Sequence, residues 1–120
     1  MDVVSLGVSF RTTTDDKDRQ DVVSISAATV ANGVLDGAAI EAGNITWENN
    51  SDIGPFGLWF KGSFDSSTID FTVSKNGEDG WDFQVTVYGI DKDGNRKTLV
   101  NAVGLRLDKN TKSSTLRLSA

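Results

Sequence analysis

Two stretches of this sequence concentrate groups that could do chemistry. Asp15, Asp16, Asp18 and Asp21 lie in the run TTTDDKDRQD, and Glu78, Asp79 and Asp82 lie in NGEDGWD with Asn76 beside them. Carboxylates on polar, glycine-containing loops are the donors that calcium takes, since it coordinates six to eight oxygens from carboxylates and backbone carbonyls. If the two loops meet at one end of the fold, Asp15, Asp16, Asp18, Asp79 and Asp82 form a candidate calcium site. The competing reading is that acidic turn residues stay solvated and discourage strand edges from pairing with other chains. A third acidic stretch, Asp91-Lys92-Asp93-Gly94-Asn95, fails the count for a calcium loop. Its glycine falls at the fourth place rather than the sixth, and Ala102 stands where a glutamate is required, so it reads as a hairpin turn.

Other chemistry is poorly supplied. The chain has no histidine and no cysteine. That removes the usual general base, the usual zinc ligand, the usual pH switch and every thiolate. There is no Gly-x-Ser-x-Gly elbow and no helix-borne Ser-x-x-Lys. Two carboxylates can hydrolyse a glycoside, but with 17 acidic residues in the chain some pair is always at hand, so that pattern has no specificity. The expectation is a protein without catalytic activity. A net charge of −5 argues against a nucleic-acid partner, because neutralising phosphates needs a basic surface.

The elements that must position these loops follow a period of two. Val4, Leu6, Val8 and Phe10 alternate with polar or small residues, and Val23, Ile25 and Ala27 resume the pattern after the first acidic loop, which on its polarity is not expected to contribute to the core. Residues 32–44 read as a short strand pair or one helical turn. Ile45-Thr46-Trp47 reads as a strand end, and ENNSDIGPFG as a loop around the single proline, Pro55. Phe56, Leu58 and Phe60, then Ile69, Phe71 and Val73, mark two more strands. The longest runs from Trp81 through Phe83, Val85 and Val87. Leu99 to Leu107 and Leu116 to Leu118 complete about eight strands with no long helix. A chain of 120 residues built this way predicts a single domain, residues 1–120, folded as an all-β antiparallel sandwich of jelly-roll or Greek-key topology.

The aromatic residues divide by register. Trp47 and Trp81 fall on core-facing positions or strand ends. Trp59 is out of phase with Leu58 and Phe60, and Tyr88 with Val87, so both point away from the core. Outward aromatics are platforms for sugar rings, lipid headgroups or a protein partner, and a second copy of the chain would cover them equally well. Seven basic residues, from Lys92 to Arg117, collect in the last third and leave the first two-thirds acidic.

The succession TTTDDKDRQDVVSISA, ITWENNSDIGPFGLWF and IDFTVSKNGEDGWDFQVTVYG resembles the PLAT and C2-like β-sandwich modules, in particular bacterial ones. The matching positions are Asp15, Asp16 and Asp18; Trp47, Asn49, Asn50 and Ser51; and Asp79, Trp81 and Asp82. The glycine-rich G-x-x-D step of PLAT loops is missing. The resemblance implies a non-catalytic accessory module that binds a protein, a lipid surface or a carbohydrate, in some cases with calcium. The alternative expectation is a structural protein that self-assembles as a homo-oligomer or within a larger particle. No stretch is apolar enough to cross a membrane and MDVVSLGVSF is not a signal peptide, which leaves an extracellular or cell-surface location open.

Overall fold

The alternating residues form strands with one face in the core, although a bulge between Val3 and Ser5 places Val3 rather than Val4 there. In β1 (Asp2–Thr12) the buried positions include Leu6, Val8, Phe10 and Thr12; β2 (Val23–Thr29), β5 (Ile69–Lys75) and β6 (Trp81–Ile90) alternate buried and half-buried residues without a break. The remaining strands are β3 (Gly33–Ile40), β4 (Asp52–Asp65), β7 (Arg96–Leu107) and β8 (Ser113–Arg117), with one short 3-10 turn at Ser66–Thr68. This is a computed structural model, and it describes residues 1–18, 21–40 and 46–118.

The strands form two antiparallel sheets, ordered β4-β1-β6-β7 and β3-β2-β5-β8, packed face to face as an eight-strand sandwich. The core lies between them, with Phe10, Phe71, Trp81 and Phe83 among its largest side chains. Every pairing joins an odd-numbered strand to an even-numbered one. The connections that follow β1, β3, β5 and β7 therefore gather at one end of the sandwich.

Hydrogen bonds knit these four connections together. Thr13 N–H donates to Asp82 O (2.9 Å) and Asp82 N–H to Asp15 O (3.0 Å). Lys17 and Trp47 exchange backbone bonds of 3.1 and 3.0 Å, and Lys75 N–H donates to Lys112 O. One flank of the sandwich is closed by Asp36 of β3, whose Oδ2 accepts the Trp59 amide of the facing edge strand β4 at 2.8 Å.

Three local expectations change. Residues 33–40 form one continuous strand rather than a short strand pair or a helical turn. The loop around Pro55 ends at residue 51, and Pro55 lies within β4 after a cis Gly54–Pro55 bond. The position is permitted because β4 is an edge strand, where a missing N–H costs no ladder bond. The first acidic loop does enter the interior, since Lys17 and Asp21 are 0% and 3% exposed. Ile45 lies outside the described residues.

Candidate functional site

The alternation of β2 and β5 extends one step past the apolar residues and carries a charge inward from each strand. Ile69, Phe71, Val73 and Lys75 share the buried face of β5; Asp21 stands two residues before Val23 on the buried face of β2, and Val23 is in register with Lys75. The two charges meet. Lys75 Nζ donates to Asp21 Oδ2 at 2.8 Å and to the Asn76 carbonyl at 2.8 Å, with both side chains almost fully removed from water. A buried charge is tolerated only when paired and hydrogen-bonded, and this pair is both.

A second buried ammonium sits beside it. Lys17 Nζ donates to the carbonyls of Asp18 (2.6 Å) and Asp21 (2.8 Å) and lies 5.3 Å from the centre of the Trp47 ring. Burial pulls the Lys17 ammonium below the usual lysine range, against the attraction of the Asp21 carboxylate. Beneath these charges is an aromatic floor. Trp47 stacks on Phe10 (5.9 Å) and meets Trp81 edge-on (5.2 Å), while Trp81 stacks on Phe83 (3.8 Å) and donates Nε1–H to Thr12 Oγ1 at 3.0 Å.

Above the ion pair, Asp18, Asp21 and Asp79 each offer a carboxylate oxygen, and these oxygens lie within 4.8 Å of one another. Asp18 is half-buried and Asp79 exposed. A hydrogen bond with the Asp79 carboxyl raises the Asp18 carboxyl to about 6, aided by burial and by the negative charges of Asp79, Asp21 and Asp16. Two carboxyl groups in hydrogen-bond contact need a proton between them, so the acid form is favoured. The turn that delivers Asp79 depends on Gly77. Its φ is +81°, and a side chain there would collide with the Asp21 carboxylate.

The two acidic loops are therefore neighbours, but the five carboxylates expected to act together divide into groups. Asp18 and Asp79 join Asp21. Asp15 and Asp82 instead face Arg106 of β7, whose Nη1 donates to Asp15 Oδ2 (3.1 Å) and Asp82 Oδ1 (2.9 Å), while its Nε donates to Asp108 Oδ2 (3.3 Å). These bonds raise the Arg106 guanidinium further above its already high range. An arginine already fills the place that a cation would take there. Asp16 is bound into neither group and acts on Asp18 through its charge.

Lys75 and Arg106 escaped the sequence reading for different reasons. The buried lysine was visible as a charge on the inward register of β5, whereas Arg106 depends on its register with Asp82 across β6 and β7. The basic residues of the last third do not form one patch: Arg106 meets the acidic loops, Arg117 pairs with Asp70 (2.6 Å) and Arg96 covers an aromatic ring.

The two outward aromatics also behave differently. Trp59 is 71% exposed. Tyr88 points outward as expected, but its ring lies across Gly7, and the Arg96 guanidinium sits 4.5 Å from the ring centre. It is a packed pair rather than an open platform. The five residues Asp91 to Asn95 form the β6–β7 hairpin turn, with Asp91 Oδ1 accepting the amides of Asp93 and Asn95 at 2.9 Å each.

No protein-family model matches the chain, and no curated protein matches it either.

Proposed function

We propose that this chain is a non-catalytic binding module whose loop end takes one calcium ion through Asp18, Asp21 and Asp79. The reading is carried by the convergence of three carboxylates from two loops within 4.8 Å. Their donor set is hard oxygen alone, which suits calcium or magnesium rather than a transition metal. Calcium is the better match, because carboxylates on loops adapt to its loose, high-coordination shell, while magnesium demands a near-ideal octahedron. Lys75 holds one oxygen of Asp21 and leaves Asp18 and Asp79 as the principal donors. At low pH the two share a proton. Calcium replaces that proton as pH rises, so its role is to hold the two loops together under conditions in which their carboxylates would repel.

The absence of histidine and cysteine supports the non-catalytic half of the reading. The resemblance to PLAT and C2-like modules points to a surface that binds a protein, a lipid surface or a carbohydrate. Self-assembly through the exposed edge of β4 is the weaker reading, because Asp36 already occupies the Trp59 amide that a second copy would need for strand pairing.

Calcium titration followed by melting temperature, at pH 7 and at pH 5, tests the reading. Ligand linkage predicts a melting temperature that climbs with free calcium at pH 7, with a weaker response at pH 5 where the proton competes. EDTA should return the protein to its metal-free value. No shift in millimolar calcium at pH 7, or an equal shift for the Asp18→Asn/Asp79→Asn variant, would overturn it.

A further inference from the structure

The outer face of the β4-β1-β6-β7 sheet is unusual in what it lacks. Between Trp59 and Tyr88 the paired residues on β1 and β4 are Gly7 and Gly57, in register with each other. A side chain on Gly7 would overlap the Tyr88 ring, and one on Gly57 would come within 3.0 Å of Trp59 Nε1 and push the exposed indole aside. The face continues past these glycines into a groove of about 370 Å³ lined by Ser9, Arg11, Asp52, Gln84 and Thr86, with Gly54 and Ala102 as small neighbours. At its far end Arg11 Nη1 donates to Asp52 Oδ1 at 2.9 Å. Trp59 stands opposite Ser5 and Asp52 opposite Arg11, so six residue steps of β1 separate the two ends, or about 20 Å.

A second observation points to a ligand on this face. Ser5 shares the outer register with Gly7 and Trp59, is 1% exposed, and carries the one buried side-chain polar atom among the described residues that lacks a hydrogen-bond partner. Buried hydroxyls are nearly always satisfied, and this orphan lies on the strand position directly across from the exposed Trp59.

We infer that this face binds a neutral oligosaccharide lying along β1, with Trp59 stacked on one pyranose ring and Ser9, Arg11, Asp52, Gln84 and Thr86 meeting the hydroxyls of its neighbours. The chemistry selects a sugar over the other ligands of a binding module. A protein hot spot needs several apolar anchors in a desolvated cluster, whereas this strip has one exposed indole set among glycines and hydroxyls. An anionic membrane needs a cluster of free basic residues, but Arg11 is neutralised by Asp52 and Arg96 is stacked on Tyr88. A pyranose ring offers an apolar C–H face to the indole and a rim of hydroxyls that can both donate and accept, which the carboxylate, guanidinium, amide and hydroxyl groups of the groove complement. The inference rests on the binding-module reading but does not depend on calcium.

The test is depletion of the protein from solution by insoluble cellulose, xylan, chitin and starch, with and without EDTA, and by anionic phosphatidylserine vesicles as a separate arm. Acrylamide quenching follows the same site, because Trp47 and Trp81 are buried and Trp59 is the exposed indole. The expected result is retention by at least one polysaccharide, protection of Trp59 from quencher by its soluble oligosaccharides, and a loss of about tenfold or more in affinity for Trp59→Ala with an unchanged melting temperature. Gln84→Ala, away from the indole, should weaken binding less. Retention unaffected by Trp59→Ala overturns the inference. So does binding to vesicles in place of every polysaccharide, although the module reading then stands. A protein that is retained by none of these probes and shows no calcium-dependent melting overturns both.

Discussion

Removing Asp21 isolates the contribution of the buried ion pair. Lys75 and Asp21 are 1% and 4% exposed at the side chain and 2.8 Å apart. The Asp21→Ala change leaves the Lys75 ammonium in the interior with the Asn76 carbonyl as its remaining hydrogen-bond acceptor, and it takes a counter-charge from Lys17 nearby. Breaking a buried pair by deleting one partner costs about 3–5 kcal/mol, because the survivor is a desolvated charge. For a domain of this size 1 kcal/mol corresponds to about 4 °C, so the melting temperature should fall by roughly 12–20 °C. The Asp21→Leu/Lys75→Met double replacement, which removes both charges and fills the space with apolar side chains, should recover most of that loss, since such pairs are often close to neutral against hydrophobic substitutes. Urea unfolding of Asp21→Leu, Lys75→Met and the double variant at pH 7 closes a double-mutant cycle and reads the coupling directly. A single-variant loss under about 1 kcal/mol, the range of an exposed pair, would refute the claim that these charges are dry. A double variant no better than the sum of the two singles would refute the claim that they stabilise each other.

Two further outcomes follow from the same end of the molecule. The folded-state value of Asp18 is raised from 3.8 to about 6, so its contribution is fully present below 3.8 and is lost as pH rises through about 6. Asp65, Asp70, Asp91 and Asp108 are lowered, chiefly by backbone amides or, for Asp70, by Arg117, and contribute stability that is lost as pH falls below the ordinary carboxylate range. In EDTA, melting curves across pH should therefore peak between about 4 and 6, and Asp18→Asn should flatten the decline on the alkaline side; an unchanged alkaline limb in that variant would refute the shared proton. Trp81→Phe keeps the ring stack on Phe83 but removes the donor to Thr12, whose hydroxyl is buried. Guanidinium unfolding should show a loss of roughly 2–4 kcal/mol, from the orphaned hydroxyl together with the volume lost from the core; a change under 0.5 kcal/mol, well short of a lost hydrogen bond, would refute the bond.

The sequence carried the sandwich because the period of two is a local signal. In β5 and β6 each inward residue is apolar, so strand, face and core are legible at once. Strand β3 was harder to see, because its exposed edge position tolerates Gly33, Gly37 and Ala39 in place of a clean alternation. Pro55 misled for a related reason, since an edge strand accepts a residue that a central strand excludes.

The meeting of the two acidic loops was closer to legible than it looked. In a sandwich whose every pairing is antiparallel between odd and even strands, loops that follow odd-numbered strands all emerge at one end, and these loops follow β1 and β5. Strand parity brings Asp18 to the side of Asp79 only once residues 33–40 count as one strand, a point on which the sequence left a strand pair and a helical turn open. The same parity could not say which carboxylate would face which partner. That depends on register and on side chains arriving from a third strand, as Arg106 does from β7 to claim Asp15 and Asp82. Lys17 shows the limit from the other direction. Flanked by aspartates in a polar run, nothing in its neighbours marks it as buried, and it is buried because the β3–β4 connection lays Trp47 against it from 30 residues away. The division of labour at this end follows: charges on inward registers build the platform, and charges on the loops, which sequence spacing alone cannot sort, decide what the platform can hold.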